Sequence, residues 1–251
     1  MSLTTDLPKF RPDLVGEDPG DECYIDLTPD DPQPRTRMIF CWCPPASEKK
    51  LPGFWLGKHL VTQAQWQALM GGNPSIFKES EQQPVDSVSY EDAEAFAKRS
   101  QGKKGLLPPG FELWLPTEAQ WEHACLAGRS GVDFGIGSGR ALNSQMANFD
   151  GRHPDGKDSN SFEWLYRKET LPVGCFPPNA WGLHDMHGQL WEWCADWYDK
   201  DRVSRVLRGG SWFHDGFDCR AGYRSRFDPR SRGRNIGLRV SPSSIQSRNK
   251  K

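Results

Sequence analysis

Val206–Val240 reads VLRGGSWFHDGFDCRAGYRSRFDPRSRGRNIGLRV, and its ends differ in kind from its middle. VLRGGSW and NIGLRV alternate apolar with small or polar residues, as half-buried strands do. From Phe213 to Arg234, aromatic, acidic, basic and glycine residues follow one another with neither helical nor strand period. That is the pattern of an exposed loop held at both ends, so the stretch reads as a scaffold ending in a recognition surface.

The 251 residues, 36% of them hydrophobic, suit one large domain whose core needs no staples. A net charge of −1 gives no whole-chain argument for nucleic acid or membrane. The distribution is uneven. Residues 1–36 hold nine acids against three bases, whereas Arg202–Arg239 holds ten arginines against three aspartates and no glutamate. Seven cysteines without framework spacing point to reduced thiols, and with no apolar leader or membrane-length run a cytoplasmic, monomeric chain is expected. Cys41 and Cys43 form the one close thiol pair and, lacking a second pair, read as strand residues rather than zinc ligands.

Residues 1–36, acidic and rich in proline, are predicted to be an irregular, partly disordered lead-in, with the domain at 37–241 and a polar tail at 242–251. RMIFCWC and GFWLGKHLV read as strands. Three helices are predicted from their starts: Thr62-x-x-Gln65, Ser89-x-x-Asp92 and Thr117-x-x-Gln120 each let a hydroxyl and an N3 side chain satisfy orphan amides reciprocally. Gly71 and Gly128 stand where the first and third should stop. From Gly131 to Thr170 the chain is polar and aperiodic, which predicts ordered loops, and Trp181, Trp191, Trp193 and Trp197 supply large areas to bury.

GFWLGKHLVTQAQW, PVDSVSYEDAEAFA, LPTEAQWEHACLAG, PVGCFPPNAWGLHDMHGQLWEWCADWY and VLRGGSW with NIGLRV resemble, in order, the motifs of the formylglycine-generating-enzyme (sulfatase-modifying factor) family from about Arg37 to Val240. The resemblance implies an α+β, C-type lectin-like fold with few helices, small antiparallel sheets and long stabilised loops. The family's oxidases bind copper and use two cysteines five positions apart after the Gly-Gly-Ser motif. Aligning the flanking motifs puts those positions at Gly216 and Ala221, leaving Cys219 as a single thiol, so copper oxidation is not expected. An iron-dependent branch of the family takes its histidines from an added helical domain, for which this chain has no room. His184 and His187 fall in a framework motif and read as packing residues, as does His123. Members also bind calcium. Asn148 with the Phe149 carbonyl matches the start of one such site, whose closing aspartate is not placed, and Gln189 stands where the other site has asparagine.

RGGSW and NIGLR also resemble the brackets around the hypervariable segment of diversity-generating retroelement variable proteins. Those proteins diversify asparagine codons by replacing adenines, which reaches every residue type except Lys, Glu, Gln, Met and Trp. These five make up roughly one residue in five of the chain, yet none occurs from Phe213 to Ile245. The resemblance implies a non-catalytic binder of a protein or other macromolecule through Phe213, His214, Asp215, Phe217, Asp218, Tyr223, Ser225, Arg226, Phe227, Arg230, Ser231 and Arg234. Arg208, Arg220, Arg224 and Arg239 are expected in framework ion pairs. Single-stranded nucleic acid would suit aromatics with arginines, but Asp215, Asp218 and Asp228 weigh against it. The alternative reading is a copper-dependent oxidase or a degenerate pseudo-enzyme of the same family.

Overall fold

The computed structural model describes residues 7–28, 36–156 and 165–245. Strands β1 (Glu22–Asp26), β2 (Arg37–Cys43) and β3 (Phe54–Gly57) form an antiparallel sheet in that order. Helices α1 (Gln63–Met70) and α2 (Tyr90–Gly102) follow, then β4 (Phe111–Trp114) and α3 (Glu118–Leu126). After a long run of loops come β5 (Trp191–Trp197), β6 (Arg205–Arg208), β7 (Ser225–Phe227), β8 (Ile236–Gly237) and β9 (Ser241–Ser244). The second sheet has the order β7-β6-β5-β8, with β8 parallel to β5, and β9 pairs with β4. This is an α+β fold dominated by ordered loop.

Each helix starts with the expected reciprocal cap, at Thr62, Ser89 and Thr117. Gly71 in the left-handed region ends α1, whereas α3 closes one residue earlier than expected, on left-handed Ala127. The period of two along β2 decides the layers. Met38, Phe40 and Trp42 face the main core with α1, α2 and β5, while Cys41 and Cys43 face a second cluster built on Trp121, Trp181 and Val206.

Two segments depart from expectation. The lead-in is not wholly irregular: β1 lies inside it, Phe10 is buried, and the Trp55 indole N–H donates to the Leu14 carbonyl at 2.9 Å. Its amphipathic residues have partners far along the chain, which composition does not reveal. Likewise the tail from residue 242 is framework as far as Ser244, because β9 covers the edge of β4. Residues 1–6, 29–35 and 246–251 lie outside the described residues. All seven cysteines are free, and among the described residues no helix is long and apolar enough to cross a membrane.

Candidate recognition surface

Strand β6 delivers the chain to Gly209 and Gly210, both at positive φ. A Cβ at Gly210 would lie 2.5 Å from the Cys219 sulfur, so only glycine lets the returning loop pass this close. Trp212 then plugs into a pocket with Leu60 and Leu190, and its indole N–H donates to the Arg234 carbonyl at 3.2 Å, tying one end of the segment to the other. Cys219 is fully buried, packed with Phe134, Leu142 and Phe149.

Three backbone bonds seat residues 213–221 on the preceding loop: Asp150 N–H to His214 O at 2.8 Å, Gly216 N–H to His153 O at 2.9 Å and Ala221 N–H to Asp133 O at 2.8 Å. Farther on, Ser225–Phe227 adds an edge strand to β6, where an irregular loop was expected. Pro229 O accepts from Tyr90 N at the start of α2, and Arg232 forms a bidentate pair with Asp92. The segment is therefore fixed along its whole length.

Within it Phe213, Phe217 and Phe227 are 52%, 51% and 41% exposed. Asp215, Arg226, Arg230 and Arg234 are exposed too, while His214, Asp218, Tyr223, Ser225 and Ser231 are half-buried. None of the twelve sequence-predicted residues is in the core. The rings form a connected run. Phe213 meets His214 at 5.6 Å between centroids, His214 meets Trp191 at 5.3 Å, Trp191 meets Tyr223 at 6.0 Å and Tyr223 meets Phe217 at 5.5 Å. In the other direction Phe213 meets Trp212 at 5.5 Å and Trp212 meets Tyr166 at 6.4 Å.

His214 sits at the centre with its tautomer decided by its neighbours. The Trp191 indole can only donate, so Nδ1 at 3.2 Å must carry a lone pair; the Ser211 hydroxyl, 2.8 Å away, donates to the same atom. The ring proton is therefore on Nε2, which has no partner among the described residues. Burial holds the imidazole below its ordinary pKa, against the pull of Asp218 and Asp215.

Arginines are mostly occupied. Arg208, fully buried, pairs with Glu118 and Glu122; Arg220 with Asp155; Arg224 with Glu118; and Arg239 with Glu192, each in the framework role expected. Of the three expected ligand arginines, Arg226 lies 3.7 Å from Asp199, Arg230 pairs with Asp228, and Arg234 lies over the Trp212 ring. Sequence reasoning missed Tyr166 and Arg152, whose guanidinium covers Tyr166 at 4.4 Å, and took Trp191 as core alone. Both missed residues sit in an aperiodic loop that carries no signal short of the contacts themselves.

Gly216 and Ala221 have different surroundings. A Cβ at Gly216 would meet the Asp155 backbone at 2.7 Å, and Ala221 belongs to the Trp121 cluster. The residues five apart that flank Ser211 of the Gly-Gly-Ser motif are His214, at its hydroxyl, and Cys219, whose sulfur accepts from its backbone N–H. That corrects the alignment and leaves one thiol. Burial pushes the Cys219 pKa well above the ordinary value, with Asp218 and Asp215 adding to it. His187 accepts from Gly135 N–H at Nε2 and donates from Nδ1 to Cys219 O, a packing role. At Asn148, Oδ1 is buried without a partner while Nδ2 donates to Gln189 and to the Glu169 carbonyl. Among the described residues no three His, Cys, Asp or Glu side chains cluster.

Among curated relatives, the chain is 28% identical to the chaperone protein LppX of Paenibacillus barcinonensis, over 76% of this chain and 80% of that one. It is 34% identical to the inactive C-alpha-formylglycine-generating enzyme 2 of Bos taurus and 33% identical to the formylglycine-generating enzyme of Mus musculus. Each match covers 71% of this chain, but only 56% and 49% of those proteins, so the chain spans about half their length. Among solved structures, Treponema denticola variable protein 1 superposes with a TM-score of 0.65 at 22% identity, over 84% of this chain and 97% of that one, a likeness of fold. Catalytic and inactive relatives stand at equal identity, so function has to come from the site. Residues 19–243 match the Sulfatase-modifying factor enzyme 1-like domain, and the chain belongs to that family.

Proposed function

We propose that this protein is a non-catalytic binder that displays a diversified surface, residues 213–234, to a protein or other macromolecular ligand. The observation that carries the reading is the exposure of three phenylalanines on a backbone fixed by Trp212, Cys219 and Arg232. Large apolar side chains held rigidly toward solvent are what a binding surface uses, and aromatics lose little conformational entropy when they engage. The codon-limited composition from Phe213 to Ile245 supports diversification of the same segment. Its single, buried thiol supports the absence of oxidase chemistry.

The test is a library with the twelve surface positions randomised, displayed on yeast and selected against an unrelated globular protein such as lysozyme. Retained display of most variants, with binders emerging, is the expected result. Loss of folding across the library would sink the reading, as would formylglycine formed by the wild-type protein from a cysteine peptide with copper and oxygen.

A further inference from the structure

The arginine-rich segment looks from its sequence like a place for acidic or phosphate-bearing partners. Its geometry argues the opposite. Seven of the ten arginines between Arg202 and Arg239 are already bonded to carboxylates of the protein: Arg208, Arg220, Arg224, Arg226, Arg230, Arg232 and Arg239. Arg205 is spent on the Trp197 ring and the Ala195 carbonyl.

Along the run of rings the balance is acidic. Among the described residues Arg152, Arg220, Arg234 and Lys168 lie there against Asp133, Asp150, Asp155, Asp215 and Asp218. Arg152 holds Asp150 through two side-chain bonds, and Arg220 holds Asp155 and approaches Asp133 at 3.5 Å. The same two guanidiniums cover a face of the terminal rings, Arg152 on Tyr166 and Arg220 on Phe217 at 4.7 Å. A flat ligand such as a nucleic-acid base needs ring faces to stack on and free cations for its phosphates, and here both are partly taken. Open to a partner are the exposed rings and the Nε2–H donor of His214.

We propose that the recognition surface extends outside residues 213–234 to Tyr166, and that it takes a polypeptide segment with apolar side chains and no net negative charge. A backbone carbonyl of that segment accepts from His214 Nε2–H. The inference rests on the binding-protein reading above and names the partner chemistry of that site. Phe213 and Phe217 receive apolar side chains on either side of the histidine, and Tyr166 adds an anchor that segment diversification would leave unchanged.

Phage-displayed random peptides selected on the wild-type protein test it, with oligothymidylate as the competing probe. Expected are apolar, non-acidic peptides that lose about tenfold in affinity in Tyr166→Ala but little in Tyr166→Phe. Their binding should change little between about 0.05 and 0.5 M salt. Acidic peptides, or oligothymidylate binding that collapses with salt, would overturn the inference while keeping the display reading. So would peptides indifferent to Tyr166→Ala. If no peptide is enriched while the surface-randomised library still yields binders, the inference fails alone; if that library also fails to fold or bind, the underlying reading fails with it.

Discussion

Arg239 of the last family motif and Glu192 of β5 meet at 3.0 Å with side chains 0% and 1% exposed, joining the terminal segment to the central strand. Neither charge is left to the pair alone. Arg239 also donates to the carbonyls of Gly57, Lys58 and His184, while Glu192 accepts from the Trp121 indole. A satisfied buried pair can be close to neutral in stability, but removing one partner strands the other. Arg239→Ala is accordingly expected to lower unfolding free energy by about 3–5 kcal/mol, measured by urea denaturation. A loss under about 1 kcal/mol would mean water reaches Glu192.

Exposed and plugged aromatics should separate cleanly. Replacing Phe213, Phe217 and Phe227 by serine is expected to shift stability by about 0.5 kcal/mol or less each. Trp212→Ala, which empties a pocket and frees the Arg234 carbonyl, is expected to cost about 3–5 kcal/mol. Equal effects from the two sets would contradict the display geometry.

Thiol chemistry gives a second check. Cys175 is the exposed cysteine and the other six are buried. Native protein should react with about one equivalent of an aromatic disulfide reagent, slowly, since burial and Asp185 raise the Cys175 pKa. Cys175→Ser should remove that reaction. Rapid modification of Cys219 in the native state would reopen the oxidase alternative.

Stability should fall in mild acid. Burial holds His187 down at about 4, and burial with His184 alongside holds His59 at about 3. Unfolded histidines take protons below about pH 6.5 while these folded ones do not, so stability present above that value is lost as pH falls toward their folded pKa values. At pH 5 each accounts for about 2 kcal/mol. Asp185, raised by burial to about 6, works the other way: the folded state takes its proton first, returning about 1 kcal/mol by pH 5. A net loss of about 3 kcal/mol between pH 7 and 5 is expected from urea midpoints. A flat profile would show that both histidines are already protonated in the fold.

Local chemistry was legible in the sequence. The three caps and β2 are found where the residues place them, because a capping box and a period of two are written within a few positions. β1 and β9 were not: β1 lies in a stretch whose acidic, proline-rich composition hides it, and β9 becomes a strand only through β4, more than a hundred residues away. The recognition segment could be bracketed from RGGSW and NIGLR, but not the pairing of its arginines. That depends on Asp155, Glu118, Asp199 and Asp92, carboxylates from four other elements. Tyr166 was out of reach for the same reason, as was Trp191, whose indole is at once core packing and the group that sets the His214 tautomer.

The segment between β6 and β8 leaves and re-enters one sheet with only β5 between its ends. Adjacent strands lie about 4.8 Å apart, so the two anchor points are held about 10 Å from each other whatever the chain between them does. The entropy of closing such an excursion grows only with the logarithm of its length, and doubling it adds about 0.6 kcal/mol. Lengthening the chain between Phe227 and Arg234 should therefore cost little in closure, and its main cost is the loss of the Pro229–Tyr90 and Arg232–Asp92 contacts that fix the segment on α2, so the reach of the surface is set by those two contacts more than by the anchors.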